Sequence, residues 1–120
     1  MRVAAAESEA PANGGALCPH FHEAIELIGK RWTGAIMCVL MVGPKRFSEI
    51  SLAVPELSDR LLSERLKELE ANGIVERGQQ PGCGACGYYA LTPKGAELRP
   101  ALREMEEWAR RWLGPPHGLA

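Results

Sequence analysis

Residues 47–77 read FSEISLAVPELSDRLLSERLKELEANGIVER, and the order of apolar, capping and breaking residues within them decides the fold. Phe47, Ile50 and Leu52 fall at a spacing that predicts a short helix over 47–53 with these side chains turned inward. Val54-Pro55-Glu56-Leu57 is the connecting turn. Ser58 then caps a helix running to about Asn72, with Leu62, Leu66 and Leu69 on one stripe. Asn72-Gly73 stops that helix, and Ile74-Val75-Glu76-Arg77 has strand character.

Upstream, Trp32 to Val42 predicts a helix in which Ile36, Met37, Val39, Leu40 and Met41 leave little polar face. It should be the central buried one, with Cys38 a small buried hydrophobe, and Gly43-Pro44 ends it. Before it, Phe21, Ala24, Ile25 and Ile28 mark a first helix from Pro19 to about Gly29. Downstream, Tyr88-Tyr89-Ala90-Leu91 pairs as a second strand, and Gln80 to Gly87 form a Gly-rich hairpin tip. Thr92 caps a last helix, with Pro93 at its first position and a kink or restart at Pro100, reaching about Leu113. The fold class is therefore mainly α with a small two-stranded β-hairpin (α+β). Two helices on a short turn, followed directly by a hairpin, make a winged helix-turn-helix.

With 120 residues the chain holds one core and no second domain. Residues 1–16 lack periodicity and read as a disordered tail, 17–114 as the DNA-binding and dimerisation domain, and 115–120 as a C-terminal tail. The apolar run 35–42 is too short to cross a bilayer, and Glu7 and Glu9 interrupt the signal-like start, so the expected location is cytoplasmic with no membrane partner. A net charge of −1 does not exclude nucleic acid, because DNA meets one face rather than the total. Basic residues gather at Lys30-Arg31, Lys45-Arg46, Arg60, Arg65, Lys67 and Arg77, and acidic ones elsewhere. No nucleophile–base set, phosphate loop or paired-carboxylate arrangement stands out, so no enzyme and no required cofactor are expected.

The helix capped by Ser58 is the recognition candidate. With residue 60 at the top of a helical wheel, Ser63, Glu64 and Lys67 share its side, while the leucines point away. Arg60 lies in the first turn, where a docked helix reaches base edges. Ser58 and Ser63 suit phosphate or base contacts, and Lys67 the backbone. Lys45 and Arg46, before the preceding helix, and Arg77, at the wing base, are the remaining candidates for contact with double-stranded DNA. Asp59 and Glu64 oppose phosphate. The first is explained by the helix dipole, and the second either accepts from a cytosine amino group or pairs with Arg60 or Lys67.

Cys83-Gly84-Ala85-Cys86 in the hairpin tip suits either thiolate ligation of a metal such as zinc or a disulfide. A pair supplies two of zinc's usual four ligands. The last helix carries Leu98, Leu102, Met105, Ala109, Trp112 and Leu113 along an apolar stripe beside Trp108. This stripe is more than so small a domain needs, so a two-fold homodimer through the terminal helices is expected, reading a palindromic operator. A winged helix that docks a protein instead of DNA is the competing class.

Several segments together resemble the HxlR-type transcriptional regulators. They are Gly29-Lys30-Arg31-Trp32, then Gly43-Pro44-Lys45-Arg46-Phe47-Ser48-Glu49-Ile50, Leu57-Ser58, Arg65-Leu66-Lys67-Glu68-Leu69-Glu70 and Asn72-Gly73-Ile74-Val75-Glu76-Arg77. Tyr89-Ala90-Leu91-Thr92 with Lys94-Gly95 and the late Trp108 complete the set. The resemblance runs from about Cys18 to Leu113. It implies a dimeric winged-helix regulator, most simply a repressor, in a family whose members sense oxidants or electrophiles through cysteine. Cys18, directly before Pro19, resembles the amino-terminal cysteine of the redox-sensing members, and Trp32 and Phe47 match core positions. The Cys83/Cys86 wing departs from the family pattern, so redox sensing here involves Cys18, Cys83 and Cys86 as candidates.

Overall fold

A computed structural model describes residues 18–79 and 87–114. The order is α1 (Pro19–Ile28), α2 (Thr33–Val42), α3 (Phe47–Ala53), α4 (Asp59–Ala71), β1 (Val75–Gln79), β2 (Gly87–Leu91), α5 (Pro93–Ala96) and α6 (Arg99–Trp112). The chain divides between Arg31 and Trp32 into two compact units. In the first unit, Pro19 opens α1, where its missing N–H costs nothing, and the Gly29 N–H closes the helix on the Ile25 carbonyl at 2.7 Å. No residue of α1 is buried, and Phe21 and Ile25 are exposed.

The second unit is built around α2. Thr33, Ile36, Met37 and Leu40 are buried. They meet Ile50 of α3, Val54 and Leu57 of the turn, Leu62, Leu66 and Leu69 of α4, and Ile74, Val75 and Tyr89 of the hairpin, all buried. The leucine stripe of α4 thus lies where its period placed it. Two expectations fail. Leu52 is 81% exposed rather than turned inward, because a seven-residue helix has only one narrow face toward the core and Ile50 holds it. Cys38 is exposed rather than buried, since α2 packs on one side only, and Val42 at its end is also open to solvent. Trp32 precedes α2 rather than opening it, with a left-handed φ of 78°.

The end of α4 shows how the core is closed. Gly73 adopts φ 73°, a region that favours glycine, and lets the Ile74 N–H reach the Leu69 carbonyl at 2.9 Å while its own N–H reaches Glu70 at 3.0 Å. The strands pair antiparallel, with Val75 opposite Leu91, Arg77 opposite Tyr89 and Gln79 opposite Gly87. Thr92 caps α5 by accepting from the Gly95 N–H at 3.1 Å, and its hydroxyl donates to the Gly73 carbonyl. Lys94 Nζ donates to the Asn72 carbonyl at 2.8 Å. The start of α5 therefore satisfies the end of α4. The last helix restarts at Arg99-Pro100, so the break expected at Pro100 separates α5 from α6.

Candidate nucleic-acid interface

Helices α3 and α4 form the helix-turn-helix, and short-range bonds set its geometry. The Arg46 N–H donates to Glu49 Oε1 at 2.8 Å, fixing the start of α3. Ser58 Oγ accepts from the Leu61 N–H at 3.2 Å, capping α4. Between the helices, Ser51 Oγ donates to Asp59 Oδ1 at 2.8 Å. This bond spans the turn, and it gives the acidic residue at the head of the recognition helix a structural task. Sequence reading missed it: Asp59 was assigned to the dipole alone. A hydroxyl and a carboxylate bracketing a short turn between two helices is the signal that would have found it.

The outward face of α4 presents Arg60, Glu64 and Lys67, all exposed, and the half-buried Ser63. Of the alternatives for Glu64, the structure places its carboxylate 3.9 Å from Arg60 Nε, one helical turn away. The Arg60 side chain is 92% exposed, so this pair is weak and a DNA base or phosphate can replace it cheaply. Arg65, by contrast, lies 3.5 Å from Glu68 with its side chain largely covered, and it belongs to the packing side of the helix.

Lys45 sits beside the hairpin. Its N–H donates to the Tyr89 carbonyl at 2.9 Å and its carbonyl accepts from the Tyr89 N–H at 2.7 Å, an isolated antiparallel bridge. The segment leading into α3 is thereby tied to the root of the wing. Arg46 is exposed at the head of α3. Arg77 is exposed on β1, its guanidinium carbon 5.3 Å from the centroid of the Tyr89 ring. The fold thus brings Lys45 and Arg77 to the same β-ribbon, on either side of Tyr89. The role of Tyr89 as their common support was not read from the sequence.

Cys18 is exposed at the cap position of α1, its carbonyl accepting from the His22 N–H at 2.9 Å. His20 lies 3.6 Å from Glu23 on the same helix. Cys38 faces α6, and its thiol reaches toward Glu106 Oε2 at 4.0 Å. Although the residue as a whole is exposed, its sulfur is partly shielded from water. That shielding, then the neighbouring carboxylate, pushes the thiol above its ordinary value of 9.0. Cys83 and Cys86 lie outside the described residues. On α6, Leu98 and Leu102 are half-buried, while Met105, Trp108 and Trp112 are exposed.

A helix-turn-helix with an exposed basic recognition face, followed by a two-stranded wing, defines a winged-helix DNA-binding protein. Residues 27–117 match the family model described as HxlR-like helix-turn-helix, and the chain belongs to that family. Among its relatives is the HTH-type transcriptional regulator YodB of Bacillus subtilis (strain 168), 47% identical over 102 residues, which span 85% of this chain and 91% of YodB. The reduced form of YodB superposes with a TM-score of 0.74 at 46% identity, covering 85% of this chain and all of that one. Quinone-bound YodB gives 0.69 at 47% identity, covering 80% and 100%. The redox regulator HypR in its reduced form gives 0.72 at 32% identity, covering 78% and 95%. The chain is accordingly a transcriptional regulator of the winged helix-turn-helix class.

Proposed function

We propose that this protein is a homodimeric repressor that releases a palindromic operator when its cysteines meet oxidants or electrophiles. The observation that carries the sensing half is Cys18, exposed at the head of a helix whose apolar residues Phe21 and Ile25 are themselves exposed. A thiol there is accessible to reagent, and a change at it alters the end of an element with an unpaired apolar face. The quinone-bound form of YodB and the redox behaviour named for HypR support the same chemistry here. The Cys18 thiolate adds to an electrophilic ring carbon of a quinone, and the proton it lost ends on the reduced ring oxygen. With a disulfide-forming oxidant, two thiols lose two protons and two electrons, which the oxidant takes up. Cys83 and Cys86 are the further thiols available to that second reaction.

DNA binding runs through α4, with Arg60 reading base edges, Ser58, Ser63 and Lys67 supporting it, and Lys45, Arg46 and Arg77 holding phosphates. Dimerisation uses the exposed apolar faces of α1 and α6, so that two copies of α4 enter successive major grooves. Such a protein acts in the cytoplasm and by occupancy rather than by catalysis. A gel shift with the duplex upstream of its own gene tests both halves. The reduced protein should retard the duplex, and benzoquinone or diamide should release it from wild type but not from Cys18→Ser. Retardation indifferent to both reagents would remove the sensing role alone, and no retardation under reducing conditions would remove the regulator itself.

A further inference from the structure

We propose that Tyr89 and Gly87 are positioning residues that hold the Arg77 guanidinium, together with Lys45, as one two-pronged phosphate clasp at the root of the wing. The inference deepens the DNA-binding reading above and rests on it. Three observations place the parts. Arg77 pairs with Tyr89 across the ribbon, and Lys45 pairs with Tyr89 on its other side. Residues paired in this way project from the same face of a sheet, so the two cations flank one ring. At a strand spacing of about 4.8 Å, their main chains stand about 10 Å apart, so the prongs reach two separate phosphates rather than one.

The ring and the bare backbone then fix the longer prong. Arg77 lies over Tyr89, which is 9% exposed and held in the core, so the platform does not move. A stacked guanidinium keeps its N–H donors free at the ring's edge, and it has lost its rotamer freedom before DNA arrives. Gly87 supplies the space. A Cβ built there would stand 3.4 Å from Arg77 Nε and 3.3 Å from the Gly78 carbonyl oxygen, tighter than such contacts normally are. Any side chain at residue 87 therefore pushes the guanidinium away from its seat. Among the described residues no carboxylate pairs with Arg77, so the charge is available to an external anion.

The test is fluorescence anisotropy of a labelled mixed-sequence duplex across a potassium chloride series, on the full-length reduced protein. Arg77→Ala should weaken binding about tenfold and make the slope of log K against log salt shallower by about one, the signature of one lost phosphate contact. Gly87→Ala should give the same change in slope with an unaltered thermal midpoint, and add nothing in the Arg77→Ala background. Tyr89→Phe, which keeps the ring, should bind as wild type, whereas Tyr89→Leu should resemble Arg77→Ala. A wild-type slope for Arg77→Ala overturns the clasp. A wild-type slope for Gly87→Ala, with Arg77→Ala reduced, overturns the positioning role and leaves Arg77 an unassisted contact. Failure of the wild-type protein to bind any duplex would instead defeat the DNA-binding reading, and the clasp with it.

Discussion

Single side chains in this protein carry two kinds of work, and Ser58 and Cys38 show how they are told apart. Ser58 is a candidate for DNA contact, yet its oxygen already accepts from the Leu61 N–H. Ser58→Ala should therefore cost about 1 kcal/mol of stability in chemical denaturation, before any effect on DNA is measured. Ser58→Asp retains an acceptor and should restore the stability while repelling phosphate, which separates the two roles. Cys38 illustrates environment acting on reactivity. Partial burial and then the Glu106 carboxylate both disfavour the thiolate, so the group deprotonates at higher pH than an ordinary cysteine. Alkylation of Cys38 by iodoacetamide, followed site by site by mass spectrometry, should reach half its maximal rate above pH 9. Glu106→Gln removes one of the two causes and should move that midpoint downward. A midpoint unmoved by the substitution would mean that Glu106 does not act on the thiol.

Between elements, the decisive contact joins the end of α4 to the start of α5. A Cβ added at Gly95 would stand only 2.2 Å from the Ile74 carbonyl oxygen, and backbone cannot yield as a side-chain tip does. Gly95→Ala should cost about 2–3 kcal/mol and lower the thermal midpoint by roughly 10 °C, read by calorimetry. This junction also shows what the sequence could disclose. The leucine stripe of α4, the Ser58 and Thr92 caps, the Gly73 stop and the restart near Pro100 are local signals, each set by chemistry within about one helical turn, and each is found where it was read. The Ser51–Asp59 bond, the Lys45–Tyr89 bridge and the Arg77 seat join residues whose proximity only the folded chain creates. No periodicity announces them. The errors have the same origin: Leu52 and Cys38 are apolar or near-apolar residues on helices whose outer faces meet no partner within the subunit.

Those outer faces raise the question at the scale of the whole molecule. On α6, Met105, Trp108 and Trp112 are 65%, 53% and 69% exposed, at spacings of three and four residues that keep them on one side of the helix. Large apolar residues repeated along one face are costly to leave in water, and tryptophans are frequent energetic centres of interfaces. Leu98 and Leu102, earlier on the same helix, are half-buried within the subunit, so the interface is expected to centre on the later turns. Replacing both Trp108 and Trp112 by Glu should convert a dimer into a monomer in multi-angle light scattering. Because neither ring belongs to the buried core of the subunit, the helical circular dichroism of the variant should persist. Operator affinity should nevertheless fall by about 100-fold or more, since the second recognition helix no longer arrives at an effective concentration set by the first. Salt slope discriminates this loss from damage to the DNA face: the monomer should show about half the wild-type slope, with each remaining contact intact. A variant that stays dimeric would place the interface elsewhere, and a monomer with undiminished operator affinity would mean that one winged helix suffices.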